Sequence, residues 1–185
     1  MATSPPKPAT WSYSEAYVPE DDVLTRARER AQEVGVVAIG SGGGAALCFL
    51  ASVIEARAVV EIGTGTGVSG LWLLRGMRSD GILTTVDIET EHQRLARETF
   101  NEAGIATQRA RTIAGAALEV LPRLTDGHYD IVFVDGDKAE YTAYFKEAVT
   151  TRSLFFAMMR SSGGCVLTTA RNASFNSPLS ERTGK

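Results

Sequence analysis

The sequence predicts a doubly wound α/β fold, in which helices cover both faces of a mostly parallel sheet. Three observations predict it. Short β-branched runs alternate with helical segments along the chain. The runs are apolar at nearly every position, as in strands that are buried on both faces. A glycine-rich turn follows the first run, where a strand would pass into a helix.

Composition and charge narrow the classes of partner. The net charge of −3 and the pI near 5.5 offer no basic face for a phosphate backbone, so we expect no nucleic-acid partner. The longest apolar stretch, residues 45–54, is shorter than the roughly 20 residues that span a bilayer. We therefore expect a cytosolic protein without membrane contact. Residues 1–16 are predicted to be a flexible, proline-rich tail, and residues 17–185 to be one domain.

Two helices are predicted before the first strand. Asp21 and Asp22 offer N-cap oxygens to residues 23–34, whose apolar side chains fall on one helical stripe. Residues 41–44, Ser-Gly-Gly-Gly, are predicted to break the chain before a second, more apolar helix over residues 45–56.

Strands and helices then alternate. The predicted strands are short and apolar, and they cover residues 58–62, 82–88, 108–113, 129–134 and 165–169. The helices predicted between the first four strands cover residues 70–77, 90–103 and 116–124, with Thr90 as the cap of the second.

A glycine-rich turn, Glu61-Ile-Gly-Thr-Gly-Thr-Gly67, follows the first strand. Such a turn lets the backbone approach a ligand closely, and it occurs in several nucleotide-binding folds. Gly65, Gly67 and Gly70 also satisfy the dinucleotide pattern G-x-G-x-x-G. A nicotinamide oxidoreductase is therefore one hypothesis.

Two acids favour an adenosine ligand that carries a positive charge. Glu61 precedes the first glycine, where its charge would oppose a pyrophosphate and would suit an ammonium or a sulfonium. Asp87 ends the second strand twenty residues beyond Gly67, where a carboxylate can accept both ribose hydroxyls. Together the two acids predict S-adenosyl-L-methionine (SAM) as the cofactor.

A second polar cluster, Asp135, Asp137 and Lys138, follows the strand over residues 129–134 at the edge where active sites collect. Asp135 can hold a divalent cation such as Mg²⁺ through oxygen, and a cation bound to a phenol would make the phenol more acidic. Lys138 could then take the phenolic proton as general base. The resulting oxygen would attack a sulfonium methyl group in line.

These residues together resemble the cation-dependent O-methyltransferase family that includes caffeoyl-coenzyme A and catechol O-methyltransferases, in particular its small bacterial members. The likeness covers residues 17–149 and includes the glycine turn, Val86-Asp-Ile-Glu89 and Phe133-Val-Asp-Gly-Asp-Lys138. It implies a Rossmann-like, class I SAM-dependent methyltransferase that forms a homodimer. It also implies a small, catechol-like phenolic acceptor that is methylated on a hydroxyl.

The resemblance also implies roles for individual residues. Asp135 matches a metal ligand, and Lys138 matches the catalytic lysine. The residues that would surround SAM are Ile39, Glu61, Gly63, Thr64, Gly65, Ser69, Asp87, Ile88, Ala116 and Asp137, with Ala116 near the adenine.

The likeness ends after Val149. Family members complete the metal site with an Asp-Asn pair, whereas this chain has Arg171-Asn172, and an arginine there would repel the cation. The chain also stops where the family would still need two more strands. Two interpretations stay open: a frameshifted or truncated gene that retains the cofactor pocket, or a shortened enzyme with a different acceptor site. The main hypothesis is a SAM-dependent O-methyltransferase, and the alternative is a catalytically impaired nucleoside-binding protein.

Overall fold

The computed structural model describes residues 8–124, 128–136, 138–140, 142–144, 146 and 154–157. The α-helices of this part of the chain are α1 (Pro8–Ala16), α2 (Asp22–Glu33), α3 (Ser41–Val53), α4 (Val68–Gly76), α5 (Thr90–Glu102) and α6 (Ala117–Val120). Its strands are β1 (Ala58–Ile62), β2 (Ile82–Asp87), β3 (Ala110–Ala114), β4 (Ile131–Val134) and β5 (Leu154–Ala157). Short 3₁₀ helices cover Thr107–Arg109, Leu121–Arg123 and Lys138–Glu140.

Within the described residues the strands form one parallel sheet in the order β3-β2-β1-β4-β5. The order reverses at β1, so the sheet is doubly wound as predicted. Ile62, the last residue of β1, pairs with Val86 on one side and with Val134 on the other. The carboxyl ends of β1, β2 and β4 therefore lie side by side, and the segments that follow them share one edge.

Successive side chains of β1 enter two different cores, because a strand directs alternate residues to opposite faces. Val59 packs in the core that α2, α3, α4 and α5 form with one face of the sheet. Val60 and Ile62 pack in the second core, against α6 and Tyr144. Helices thus cover both faces, which explains why the central strands are apolar at nearly every position.

The structure differs from the predicted flexible tail over residues 1–16, because Pro8–Ala16 form α1. Proline suits the first position of a helix, where no backbone donor is needed. The backbone carbonyl of Glu15 accepts a hydrogen bond from the Ser41 hydroxyl, and its side chain accepts one from Gly42 N–H at 3.2 Å. α1 is therefore held by α3, a tertiary contact that local periodicity does not report.

α3 begins at Ser41, within the segment that was predicted to break the chain. The glycines serve close packing instead, because a Cβ on Gly44 would lie 2.3 Å from the Trp72 ring of α4. A smaller difference concerns α5, where Glu89 rather than Thr90 occupies the N-cap position.

The end of the described chain also differs from prediction. β5 (Leu154–Ala157) pairs with β4 in a segment for which no strand was predicted. The strand predicted over residues 165–169 lies outside the described residues. No helix in the described part of the chain has the length and apolar character that crossing a bilayer requires.

Candidate functional site

A cavity of about 460 Å³ opens at the carboxyl edge of the sheet, a size typical of small-molecule sites. Its walls are the glycine turn after β1, the loop over residues 36–39, the end of β2 and the residues that follow β3 and β4. Nine residues predicted from the sequence line it: Ile39, Gly63, Thr64, Gly65, Ser69, Asp87, Ile88, Ala116 and the proposed metal ligand Asp135. The topology has therefore gathered most of the predicted site in one place.

The glycine turn requires glycine for two reasons. Gly63, Gly65 and Gly67 have φ of +93°, +49° and +85°, a region that side chains disfavour. A Cβ on Gly63 would also lie 2.6 Å from the backbone oxygen of Asp135. The turn after β1 and the loop after β4 are thus in backbone contact, and together they form one wall of the cavity.

Asp87 is fixed to the glycine turn. Its Oδ2 accepts a hydrogen bond from Gly65 N–H at 2.9 Å, and its Oδ1 accepts one from Glu89 N–H at 3.0 Å. The side chain is 10% exposed and lines the cavity. A carboxylate held in this way at the end of β2 is suited to accept the hydroxyls of a ribose.

Glu61 lies behind the cavity wall, whereas the sequence suggested that its charge faces the ligand. It is fully buried, because its position in β1 directs it between the sheet and α4. Its two carboxylate oxygens accept hydrogen bonds from the hydroxyls of Ser69 and Thr85, both at 2.6 Å. Ser69 lines the cavity, so Glu61 reaches the site through that hydroxyl.

Burial raises the pKa of Glu61 to about 7. The hydrogen bonds from Ser69 and Thr85 act in the opposite direction, and the nearby charges of Asp135 and Asp87 add to the rise. Glu61 therefore ionises near neutral pH in the folded protein.

A hydrogen-bonded chain supports the turn from behind. The hydroxyls of Thr64 and Thr85 are 2.7 Å apart, and Gln93 Nε2 donates to Thr64 Oγ1 at 2.9 Å and to the carbonyl of Ile113 at 3.0 Å. Because Thr85 donates its proton to Glu61, the proton between the two threonines comes from Thr64. The orientation of the Thr64 hydroxyl at the cavity is thus set from inside the protein.

The second predicted cluster is described in part. Asp135 follows β4, donates its N–H to the Ile62 carbonyl at 2.8 Å and lines the cavity. Asp137 lies outside the described residues, and so does the side chain of Lys138, whose backbone begins a 3₁₀ helix. In the part of the chain that the structure describes, no group of three or more His, Cys, Asp or Glu side chains could hold a metal ion.

Several lining residues were missed by the sequence reasoning, among them the polar side chains of His92, Glu140 and Tyr144. Tyr144 is buried, and its hydroxyl donates to the Glu140 carboxylate. The loops after β2 and β4, which carry Asp87 and Asp135, are each followed by a helical turn at this edge of the sheet. Polar residues one or two helical turns beyond those two acids were therefore the sequence signal that could have identified these three residues.

The strand order, the glycine turn and the acid at the end of β2 define a Rossmann-like fold of the class I methyltransferase type. The chain belongs to the O-methyltransferase family, whose model matches residues 14–153. The family resemblance stated from the motifs is thereby confirmed.

Relatives and solved structures agree with this assignment. A Mycobacterium bovis BCG protein named as an O-methyltransferase is 53% identical over 139 residues, which cover 75% of this chain and 62% of that protein. The chain thus spans about three fifths of the length of the curated relatives that it matches first.

Two crystal structures share the fold. The O-methyltransferase TomG from Streptomyces achromogenes, involved in tomaymycin synthesis and solved in complex with SAM, is 31% identical with a TM-score of 0.73. The match covers 80% of this chain and 70% of TomG. The O-methyltransferase from Bacillus cereus, solved in complex with S-adenosylhomocysteine (SAH), is 28% identical with a TM-score of 0.68. That match covers 76% of this chain and 66% of the Bacillus cereus chain.

Proposed function

We propose that this chain binds SAM in the cavity at the carboxyl edge of the sheet and transfers its methyl group to a hydroxyl of a small aromatic acceptor. The observation that carries the proposal is the Asp87 carboxylate, which the glycine turn holds at the cavity wall. Membership of the O-methyltransferase family supports the same function. The named relatives with bound SAM and SAH support the choice of cofactor.

The charge of the cavity suits this cofactor. Asp87, Glu89, Asp135 and Glu140 line it, and none of the described lining residues is a lysine or arginine. An acidic wall favours a sulfonium over a pyrophosphate, because opposite charges attract in a partly buried site. The proposal of a nicotinamide cofactor is correspondingly disfavoured, although the glycine pattern alone would permit it.

Each part of the cofactor has a candidate partner. Asp87 would accept the ribose hydroxyls, and the exposed apolar side chain of Ile88 would flank the adenine together with Ala116. Ser69 and Thr64 would present hydroxyls to the amino-acid part. When bound, SAM supplies a methyl group on a positively charged sulfur.

The acceptor would enter beside the loop after β4. Lys138 is proposed to take the proton from the acceptor hydroxyl, and Asp135 to be the first ligand of a divalent cation there. Removal of the hydroxyl proton makes the oxygen a stronger nucleophile, which would lower the barrier to its attack on the methyl carbon. The carbon–oxygen bond would form as the carbon–sulfur bond breaks, and the neutral thioether SAH would leave. From the family resemblance we also propose a catechol-like acceptor and a homodimer. From the composition we propose a cytosolic location and no nucleic-acid partner.

Methyl transfer tests the proposal directly. Folded protein is incubated with SAM labelled on its methyl group and with catechol, in Mg²⁺ and in EDTA, and labelled methoxy product is extracted and counted. The proposal predicts labelled product with the wild-type protein, and none with Lys138→Ala or without protein. Binding of SAH by folded protein with no product would favour the binding-only alternative.

A further inference from the structure

Asp87 has a third partner besides its two backbone donors. His92, in the first turn of α5, places Nδ1 at 3.3 Å from both Oδ1 and Oδ2 of Asp87. The two side chains are 20% and 10% exposed, respectively, and both line the cavity. The family resemblance assigns no role to His92.

The contact determines where one histidine proton lies. An ionised carboxylate has no proton to donate and acts only as an acceptor. The proton between His92 and Asp87 therefore belongs to Nδ1 of His92. The bond is divided between two oxygens, and 3.3 Å exceeds the usual range for N–H donors. His92 is therefore a weaker partner of Asp87 than the backbone N–H groups of Gly65 and Glu89, which lie at 2.9 and 3.0 Å.

The acceptor capacity of Asp87 is limited. Its two oxygens offer about four acceptor positions, and Gly65, Glu89 and the divided His92 contact already use both oxygens. A ribose would bring two more hydroxyl donors to this carboxylate. The backbone donors are fixed by the turn and by the start of α5, whereas the imidazole can rotate about its side-chain bonds.

We propose that His92 is a further residue of the nucleoside site, which occupies the ribose positions on Asp87 in the free protein and is displaced when ribose hydroxyls bind. This inference rests on the proposed function, which assigns Asp87 to the ribose. It makes His92 a competitor of the ligand rather than a direct contact for it.

The competition predicts a direction for ligand binding. Removal of the imidazole should free acceptor positions on the Asp87 carboxylate. A ligand with ribose hydroxyls should then bind more tightly, and a ligand without them should bind as it does to the wild type.

The experiment measures adenosine binding by calorimetry for the wild type and for His92→Ala, whose side chain cannot donate a hydrogen bond to Asp87. The 2′,3′-dideoxy analogue of adenosine, which lacks the 2′ and 3′ hydroxyls, is the matched ligand. His92→Ala should bind adenosine about two- to tenfold more tightly than the wild type, the range that corresponds to the loss of one competing hydrogen bond. The dideoxy analogue should bind the two proteins alike.

A second readout is independent of affinity. The chain contains two histidines, His92 and His128, so their ring proton signals can be assigned by comparison with His92→Ala. Saturating adenosine should shift the His92 signal, and the dideoxy analogue should leave it in place.

Three outcomes would overturn the inference. One is an adenosine affinity that His92→Ala leaves unchanged, and another is a His92 signal that adenosine does not move. The third is weaker adenosine binding by His92→Ala, which would mean that His92 supports the ligand. In each of these cases adenosine still binds, so the proposed cofactor survives. If folded wild-type protein binds neither adenosine nor SAH, the proposed function fails and this inference fails with it.

Discussion

The backbone N–H of Gly65 donates a hydrogen bond to the Oδ2 atom of Asp87 at 2.9 Å. This bond joins the glycine turn after β1 to the acid at the end of β2. The two features, which the sequence presents more than twenty positions apart, therefore form one unit at the cavity wall. A ligand that contacts the carboxylate must also approach the turn.

Loss of the Asp87 carboxylate should weaken SAH binding far more than loss of the Asp135 carboxylate. Asp87→Ala removes the proposed ribose acceptor and the partner of Gly65 N–H, and hydrogen bonds to charged groups contribute about 1.5–3 kcal/mol each. We expect a loss of about tenfold or more for Asp87→Ala and of less than about threefold for Asp135→Ala. Calorimetry with SAH measures both, and equal losses would contradict this division of roles.

Alanine at Gly63 should destabilise the fold more than alanine at Gly104. Both glycines have positive φ, +93° and +71°, so both variants carry backbone strain. The two positions differ in the space available for a side chain. A Cβ on Gly63 would lie 2.6 Å from the backbone oxygen of Asp135, whereas a Cβ on Gly104 would meet nothing within 4 Å. Urea unfolding should show about 1–2 kcal/mol for Gly104→Ala and clearly more for Gly63→Ala. Equal losses would mean that the two loops are not in contact.

The stability of the wild type should contain a pH-dependent contribution from Glu61. The folded state raises its pKa from 4.5 to about 7, so the folded protein holds the proton more tightly than the unfolded chain. The contribution is therefore present below about pH 4.5 and is lost as the pH rises to about 7 and above. Its full size is on the order of 3 kcal/mol.

Urea unfolding at several pH values between 5 and 8 measures this contribution by comparison with Glu61→Gln. The glutamine amide does not ionise, so the variant should lose less stability than the wild type across the interval. Parallel stability curves for the two proteins would show that burial does not raise the pKa of Glu61.

Valine at Thr85 should destabilise the protein, whereas valine at Thr84 should have a small effect. Thr85 donates to Glu61 and contacts the hydroxyl of Thr64, so Thr85→Val leaves a buried carboxylate oxygen without its donor. Such a loss costs about 1–3 kcal/mol, and more when the acceptor is charged. Thr84 is buried on the opposite face of β2 and serves as the control. Thermal unfolding at pH 8 compares the two, and similar midpoints would contradict the hydrogen-bonded chain.

The fold could be predicted to a large extent, because buried parallel strands leave a strong local signal. The bounds of β1 agree with the prediction at both ends, and the glycine turn lies where the motif placed it. α1 could not be predicted, since Glu15 acquires its partners in α3 only after folding. The glycines before residue 45 were interpreted as a break because their packing partner, Trp72, is remote in the sequence.

The candidate site was predicted as a set of positions but not as a set of orientations. Asp87 lies at the cavity as expected, whereas Glu61 faces Ser69 and Thr85 instead of the ligand. Which face of β1 receives α4 is decided by the packing of the whole sheet. His92 was missed because its contact with Asp87 depends on the orientation of α5 relative to β2.

The central claim is that the cavity beside Asp87 binds SAM. Calorimetric titration of the folded protein with SAH tests it most directly, followed by the same titration in the presence of excess adenosine. We expect saturable binding at one site per chain, and adenosine should compete because it shares the ribose and the adenine. A folded protein that gives no binding heat with millimolar SAH, or binding that adenosine leaves unchanged, would contradict the account.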